Sequence, residues 1–469
     1  MSSTHHIVVI GMGYVGIPCA ALLADVPGFR VTGVQRRSPR SGWKIDALNA
    51  GRSVFEGDEP GLAELIHRVA VEKGTFRVTD DYSVCREAQA ILIDVQTPVD
   101  ETHVPRYESL REVCAQAGRH LAKGTLVIIE STVAPGTTQH VAQPILEEAA
   151  GLAAGRDFHL AFSYERVMPG KLLAYITDMP RVVGGIDAES TRRAVELYRH
   201  IVRAEITASD CLTAEMAKVV ENAYRDVNIA FANEIALACE RLGVDVHDVR
   251  RLINARHDRH MHIPGAGVGG HCLPKDTYLL AYGVEAYGRD SSNLEIRNSN
   301  FPLIQTAREI NDGMPGHMLA LVEEALAEAG QGLAGARVAV LGVSYLEDAD
   351  DTRNTPAVPL IVALHERGAA VVAHDPYVSE HEWRLAWPAE PGAALTADLG
   401  AALAGADCAV IVTRHQAYRD LAAGNPGPAG LGWLKARLGR PVLVDGRNVF
   451  ERAECEAAGF VYRGVGKGK

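Results

Sequence analysis

The chain has 469 residues, 47% hydrophobic and 23% charged, with a formal net charge of -12. That length exceeds one ordinary core and the balance is that of a soluble globular protein, so two or three domains are expected. An acidic balance excludes a general nucleic-acid binder, and no uninterrupted apolar run reaches membrane-spanning length. The first residues, MSSTHHIVVIG, run straight into a strand, so no signal peptide is expected. The eight cysteines form no CxxC pair and no zinc-type spacing, which predicts no metal site and suits a reducing cytoplasm.

Residues 6–10 form an apolar strand that leads into GMGYVG, residues 11–16, and then a small-residue helix from about Ile17. In that setting Gly11, Gly13 and Gly16, with Tyr14 and Val15 between them, read as a dinucleotide turn, whose glycines let a pyrophosphate approach backbone N–H groups. The second strand, residues 30–34, ends in Gln35, Arg36 and Arg37 where an NAD-binding protein usually carries an acid for the ribose hydroxyls. NAD is the expected cofactor, and NADP is the alternative because Gln35 replaces that acid. Further strands at residues 90–95, 126–130 and 159–163 are closed by Gln96 and Thr97, by Ser131 and Thr132, and by Tyr164, Glu165 and Arg166. Strands alternating with helices imply an α/β fold with a parallel, doubly wound sheet, whose ligands lie beyond the carboxyl ends of the strands.

From about Asp210 the apolar period becomes helical and persists to Gly243, a long bridge between domains. Lys218 and Asn222 are four apart and share a face of that helix. A helix apolar around much of its circumference needs burial on more than one side, so a homodimer through this central region is expected.

The loop PGAGVGGHCLPKD, residues 264–276, places Cys272 after Gly265, Gly267, Gly269 and Gly270, with Lys275 and Asp276 directly following. Taken alone, it reads as a glycine-rich turn with a buried cysteine; beside a dinucleotide turn, a thiol that meets a substrate carbon becomes the alternative. More helix is expected to about Asp312. A second α/β unit follows, with strands at residues 335–341, 369–374, 408–412 and 442–444 and a helix at 356–367. Its polar strand ends are Ser344 and Tyr345, then residues 351–354, 413–415 and 445–448. Residues 424–432, rich in Pro and Gly, read as a surface loop without chemistry. The expected division is 1–208 for the dinucleotide domain, 209–315 for a central helical domain carrying the cysteine loop, and 316–469 for a second Rossmann-like domain.

GMGYVG, QTP, EST, SYERVMPG, EMAKVVENAYRDVN, GVGGHCLPKD, DDTRNTP and DGRNVF, in this order over nearly the whole chain, resemble the UDP-glucose/GDP-mannose dehydrogenase family. The resemblance implies two Rossmann-like domains joined by a long helix, and an NAD-dependent, two-step, four-electron oxidation of a sugar C6 alcohol to a carboxylate. It implies Cys272 as the nucleophile that forms a thiohemiacetal and then a thioester. Lys218 and Asn222 match residues that stabilise the oxyanion, Asp276 an acid beside the nucleophile, and Glu165 and Thr132 groups that position or activate water; Lys275 would help hold the thiolate. Gly11, Gly13, Tyr14, Val15, Gly16, Gln35, Arg36, Thr97, Thr132 and Arg353 match cofactor positions. Glu165, Arg166, Lys218, Asn222, Gly269, Tyr345 and Arg447 match substrate positions, and either Arg256 or Arg259 would reach a partner subunit's site.

Leu346 stands where the family usually carries a lysine, so another basic group must take its place. GGHC and YERVMPG resemble the branch acting on UDP-N-acetylhexosamines, with UDP-glucose or another NDP-sugar as the alternative. A two-electron β-hydroxyacid-type dehydrogenase would need neither the cysteine loop nor the second α/β unit.

Overall fold

The computed structural model describes residues 5–39, 41–55, 59–288, 301–387, 392–424 and 430–468. The chain packs as two compact units, one of Met1–Asn222 with Lys275–Asn300, the other of Ala223–Pro274 with Phe301–Lys469.

In the first unit the strands are β1 (His5–Ile10), β2 (Phe29–Val34), β3 (Phe76–Thr79), β4 (Ala90–Ile93), β5 (Leu126–Ile129), β6 (His159–Phe162), β7 (Arg181–Gly185) and β8 (Ile206–Asp210). They lie in the order β3-β2-β1-β4-β5-β6-β7-β8. The runs IVVI, AILI and LVII are buried throughout, as both faces of a helix-covered sheet require. A wholly parallel sheet is corrected at one place, because β7 runs antiparallel to β6. Nor is β3, β7 or β8 evident from the sequence. Each is a short strand, β7 carries a charged residue and two glycines, and β8 is largely exposed, so none shows an apolar run. The core gathers Ile7, Val9, Ile17, Leu23, Val31, Leu92, Ile128 and Val183.

The bridging helix is Cys211–Leu242. It starts where the Asp210 carboxylate accepts the Thr213 N–H at 2.9 Å and stops at Gly243, whose φ of 72° is left-handed. On its first turns, buried Glu215 accepts the N–H groups of Gly136 at 2.6 Å and Thr138 at 2.8 Å. Burial raises its carboxyl from the ordinary 4.5 to about 7, against those two donors. Since the folded value lies above the unfolded one, stability is full below about pH 4.5 and falls as pH rises toward 7. Denaturant midpoints are therefore expected to drop over that window. Glu215→Gln should flatten the slope and lower the midpoint at every pH, because an amide oxygen and NH2 cannot satisfy two N–H donors.

In the second unit β9 (Arg337–Leu341), β10 (Ala370–His374), β11 (Ala393–Thr396), β12 (Cys408–Ile411), β13 (Val442–Asp445) and β14 (Val461–Gly464) form a sheet in the order β11-β10-β9-β12-β13-β14. Every pairing in it is parallel. The strand order reverses between β9 and β12, which puts the ligand crevice at their carboxyl ends. Helix Pro302–Glu328 continues past the expected stop near Asp312 and carries Pro315 inside it. Burial of Met314, Met318, Val322 and Leu326 against Val338, Val340, Val410 and Val444 outweighs the lost backbone bond. Residues 289–300 of the expected helix, and 425–429 of the expected Pro/Gly loop, lie outside the described residues. The end of that loop run, Gly430–Lys435, is helical. Among the described residues no helix is long and apolar enough to cross a membrane, and no cluster could hold a metal ion.

Candidate active site

At the dinucleotide turn the three glycines have different reasons. A Cβ on Gly11, at φ 107°, would stand 2.1 Å from the Asp94 carbonyl oxygen, and one on Gly16 would stand 2.0 Å from the Gly11 oxygen. Both are demanded by packing of the turn itself. At Gly13 a Cβ would meet nothing within 4 Å, so the turn presents bare backbone to open space, a cradle that fits a pyrophosphate. Val15 sits at the start of helix Gly16–Asp25, and the Tyr14 ring packs 4.9 Å from that of Phe55. Gln35 is turned into the turn, its Oε1 accepting the Met12 N–H at 3.1 Å, while the Arg36 side chain is exposed. Beyond β4 and β5, the Thr97 hydroxyl donates to the Thr132 carbonyl at 2.5 Å, tying those two strand ends together.

In the same unit Lys218 and Asn222 do point inward from the bridging helix. Lys218 is only 6% exposed; its Nζ donates to the Glu165 carbonyl at 2.8 Å and lies 5.2 Å from the centre of the Tyr164 ring. Burial raises the Glu165 carboxyl above its ordinary value, while the Lys218 ammonium opposes that rise. Asn222 Nδ2 donates to Asp276 Oδ2 at 2.5 Å, and Lys275 Nζ makes an ion contact with Asp276 Oδ1 at 2.8 Å. Lys275, expected beside a thiolate, has its buried ammonium offset by Asp276. Arg166 donates through Nε to Glu221 at 2.8 Å and through Nη2 to the Tyr164 hydroxyl at 3.0 Å.

A buried polar group with no local mark in the sequence lies beyond the strand ends. Glu130, after β5, receives Arg181 Nη2 and the Tyr198 hydroxyl, the latter at 2.6 Å. Arg181 also donates through Nε to Ser163 Oγ at 2.9 Å, with its guanidinium 3.8 Å from the Tyr198 ring centre. Asp94, after β4, is held far above the usual carboxylate range by burial and by the Glu130 carboxylate. These bonds fasten β5, β6 and β7 beside the cofactor turn. In sequence they read as ordinary charged residues at strand edges.

In the second unit the glycine loop lies on the strand ends. Seven of the eight cysteines are buried and Cys272 is exposed. Cβ atoms on Gly269 and Gly270 would come within 2.6 Å and 2.8 Å of Tyr345, and one on Gly267, at φ 132°, within 2.8 Å of Pro356. Glycine is thus required for close approach, with side chains from the β9 loop beneath. Gly270 N–H donates to the Arg353 carbonyl at 2.8 Å, and Asn354 Nδ2 donates to the Gly270 carbonyl at 3.0 Å. Arg447 spans from the Val412 carbonyl at 2.8 Å to the Gly267 carbonyl at 3.2 Å.

The start of the loop is anchored from the helices. Gly265 N–H donates to Asn233 Oδ1, Asn233 Nδ2 to Asn311 Oδ1 and Asn311 Nδ2 to Asp226 Oδ1, at 2.9, 2.9 and 2.8 Å, with Arg308 on the same carboxylate at 2.6 Å. Nothing local in the sequence marks this relay, since polar residues on a long helix look like a wet face.

Other expected contacts are engaged locally: Arg256 and Arg259 both pair with Asp258 at 2.8 Å, and Arg353 pairs with Asp351. At the β9 and β12 ends, buried His415 Nε2 lies 3.1 Å from Asp375 Oδ2 and 3.2 Å from Ser344 Oγ. Next to it, Arg414 Nε is buried with no hydrogen-bond partner among the described residues.

Residues 5–202 match the NAD binding domain of the UDP-glucose/GDP-mannose dehydrogenase family, residues 212–313 its central domain and residues 339–452 its UDP binding domain. A UDP-N-acetyl-D-mannosamine dehydrogenase of Pyrococcus horikoshii is 35% identical over 463 residues, 98% of this chain and 99% of that protein. The crystal structure of an NDP-N-acetyl-D-galactosaminuronic acid dehydrogenase from Methanosarcina mazei Go1 is 40% identical, with a TM-score of 0.82 and coverage of 99% of this chain and 96% of that one. The solved UDP-D-ManNAc dehydrogenase from Pyrococcus horikoshii gives a TM-score of 0.85 at 33% identity, covering 99% of both chains. With a glycine cradle at one sheet, an exposed thiol on a glycine loop at the other, and all three domains matched in order, the chain belongs to the UDP-glucose/GDP-mannose dehydrogenase family.

Proposed function

We propose that this protein oxidises the C6 alcohol of a UDP-N-acetylhexosamine to the carboxylate, in two steps through Cys272. The observation that carries this reading is the exposure of Cys272 alone among eight cysteines, on a loop whose glycines bring backbone and thiol to the surface of the second unit. The amide and phosphate groups of NAD, or of its 2′-phosphorylated form, would be held by Gly11, Gly13, Tyr14, Val15, Gly16, Thr97 and Thr132, with Arg353 as a further contact; when bound, the nicotinamide accepts a hydride at each oxidation. Loss of a hydride and a proton from the alcohol gives the aldehyde. The Cys272 thiolate adds to its carbon, and Lys218 with Asn222 stabilises the oxyanion. Loss of a second hydride leaves a thioester, which water positioned by Glu165 and Thr132 cleaves to the acid, returning the thiol. Asp276, bonded to Asn222, holds that amide's orientation. The regions 1–208, 209–315 and 316–469 divide these tasks into cofactor binding, chemistry and sugar-nucleotide binding.

UDP-N-acetylmannosamine is the first substrate to try, since relatives of this name span nearly the whole chain. A panel of UDP- and other NDP-sugars, with the product mass and the reduced cofactor measured together, tests the reading. Two equivalents per sugar and a uronic acid support it; one equivalent and a ketone or aldehyde overturn it in favour of two-electron chemistry.

Arg414 takes the part of the lysine absent at Leu346, supplying positive charge for the diphosphate at the β9–β12 reversal. Arg414→Ala is expected to raise KM for the sugar nucleotide about ten- to a hundredfold, the usual worth of a charge-assisted contact. An unchanged KM would remove Arg414 from the site.

The active species is a homodimer formed through the bridging helix. Leu212, Met216, Val220, Tyr224 and Phe231 are exposed along it, Tyr224 by 68% and Phe231 by 51%, a stripe at helical spacing that a second copy would cover. Light scattering gives the mass directly. Arg256 or Arg259 would then reach the second copy's substrate.

A further inference from the structure

Around the ribose end of the dinucleotide turn the charges do not balance. Arg37 is offset by Asp80 at 3.2 Å and by Asp46 at 4.0 Å. Arg36 and Lys44 make no ion pair among the described residues. Half-buried Lys44 reaches over the turn, its Nζ donating to the Met12 carbonyl, between Gly11 and Gly13, at 3.3 Å. Arg36 directly follows Gln35 at the end of β2, where the adenosine ribose lies in a fold of this type.

The acid that would accept the two ribose hydroxyls, and repel a phosphate, is replaced by Gln35. Its amide is already committed: Oε1 accepts the Met12 N–H, and Nε2 donates to Ser41 Oγ at 3.1 Å and to the Arg36 carbonyl at 3.3 Å. Gln35 therefore braces the turn and has no free carboxylate to offer a diol. What remains at this end of β2 is one exposed guanidinium, one half-buried ammonium and the Ser38–Ser41 hydroxyl pair, 2.8 Å apart. Burial lowers the Lys44 pKa, so a dianion beside it would restore the charge that desolvation opposes.

We infer that this end of β2 is built for a 2′-phosphate, held between Arg36 and Lys44, so that the enzyme takes NADP in preference to NAD. The inference rests on the reading of the first unit as the cofactor domain. It alters no step of the oxidation, since the nicotinamide chemistry of the two cofactors is the same.

Calorimetric titration of the full chain with adenosine 2′,5′-bisphosphate and with 5′-ADP tests it without turnover. The bisphosphate is expected to bind at least about tenfold more tightly, and Arg36→Ala and Lys44→Ala each to erase about tenfold of that preference. Affinity for 5′-ADP reports whether each variant keeps an intact turn. With the sugar nucleotide that turns over, kcat/KM for NADP should exceed that for NAD and reverse in the double variant. Equal or weaker binding of the bisphosphate, or a preference that survives both substitutions, overturns the inference. A bisphosphate preference in a protein that oxidises no NDP-sugar would uphold it while sinking the proposed function.

Discussion

Cys272→Ser is expected to abolish net formation of the uronic acid while leaving the protein folded and its sugar nucleotide bound. The loop is shaped by Gly267, Gly269 and Gly270 against Tyr345 and Pro356, and the thiol itself is exposed, so exchanging sulfur for oxygen leaves those glycine contacts in place. Chemistry is lost instead. A serine hydroxyl is a far weaker nucleophile at neutral pH than a cysteine, of which a few per cent is already thiolate, and an ester is hydrolysed less readily than a thioester. The overall rate should fall by roughly three orders of magnitude or more, the scale on which removal of a covalent nucleophile acts. Whole-protein mass spectrometry after a single turnover should find sugar attached to the serine variant or to neither protein. Two equivalents of reduced cofactor per sugar at a near-normal rate from Cys272→Ser would refute the covalent route.

Arg181→Met should be the most damaging single change to stability. Arg181 is 4% exposed and Glu130 is 2% exposed, so the substitution strips a buried carboxylate of its cation and of one donor, with Asp94 close by. Breaking one side of a buried pair costs about 3–5 kcal/mol. For a unit of this size that is a fall in Tm of roughly 10 °C. Unlike a cavity mutant, this one should improve as the pH is lowered, because the buried Asp94 carboxyl, whose rise Arg181 opposes, is then relieved by taking a proton. The double change Arg181→Met with Glu130→Gln should recover part of the loss, and a double-mutant cycle across pH gives the coupling. A loss independent of pH would mean that Arg181 acts through its packing on Tyr198 alone.

Cys272 and Arg181 differ in how visible they are in the sequence. Cys272 stands out because a lone cysteine after four glycines is a local pattern, and the role proposed for it rests on motifs in fixed order. That Lys218 and Asn222 share a helix face follows from spacing alone, since i and i+4 lie one turn apart. Arg181 and Glu130 lie 51 positions apart and meet only because β5, β6 and β7 are neighbours. The antiparallel turn of β7 that brings Arg181 there leaves no mark in composition, as RVVGG reads much like a parallel strand or a loop.

Chain-local chemistry was thus settled by the sequence: the glycine turn, the alternation that makes two doubly wound sheets, the capped bridging helix, and the loss of the ribose acid at Gln35. These depend on neighbours within a few residues, where backbone sterics and apolar periodicity act directly. Tertiary structure alone decided which groups are spent and which are left over. It put Lys275 on Asp276 and Arg37 on Asp80, it left Arg36 and Lys44 without a carboxylate among the described residues, and it drew Asn233, Asn311 and Asp226 into one relay beneath the cysteine loop. The reason is physical: the charge available at a site is what remains after long-range partners have been found, and a linear sequence does not say who those partners are.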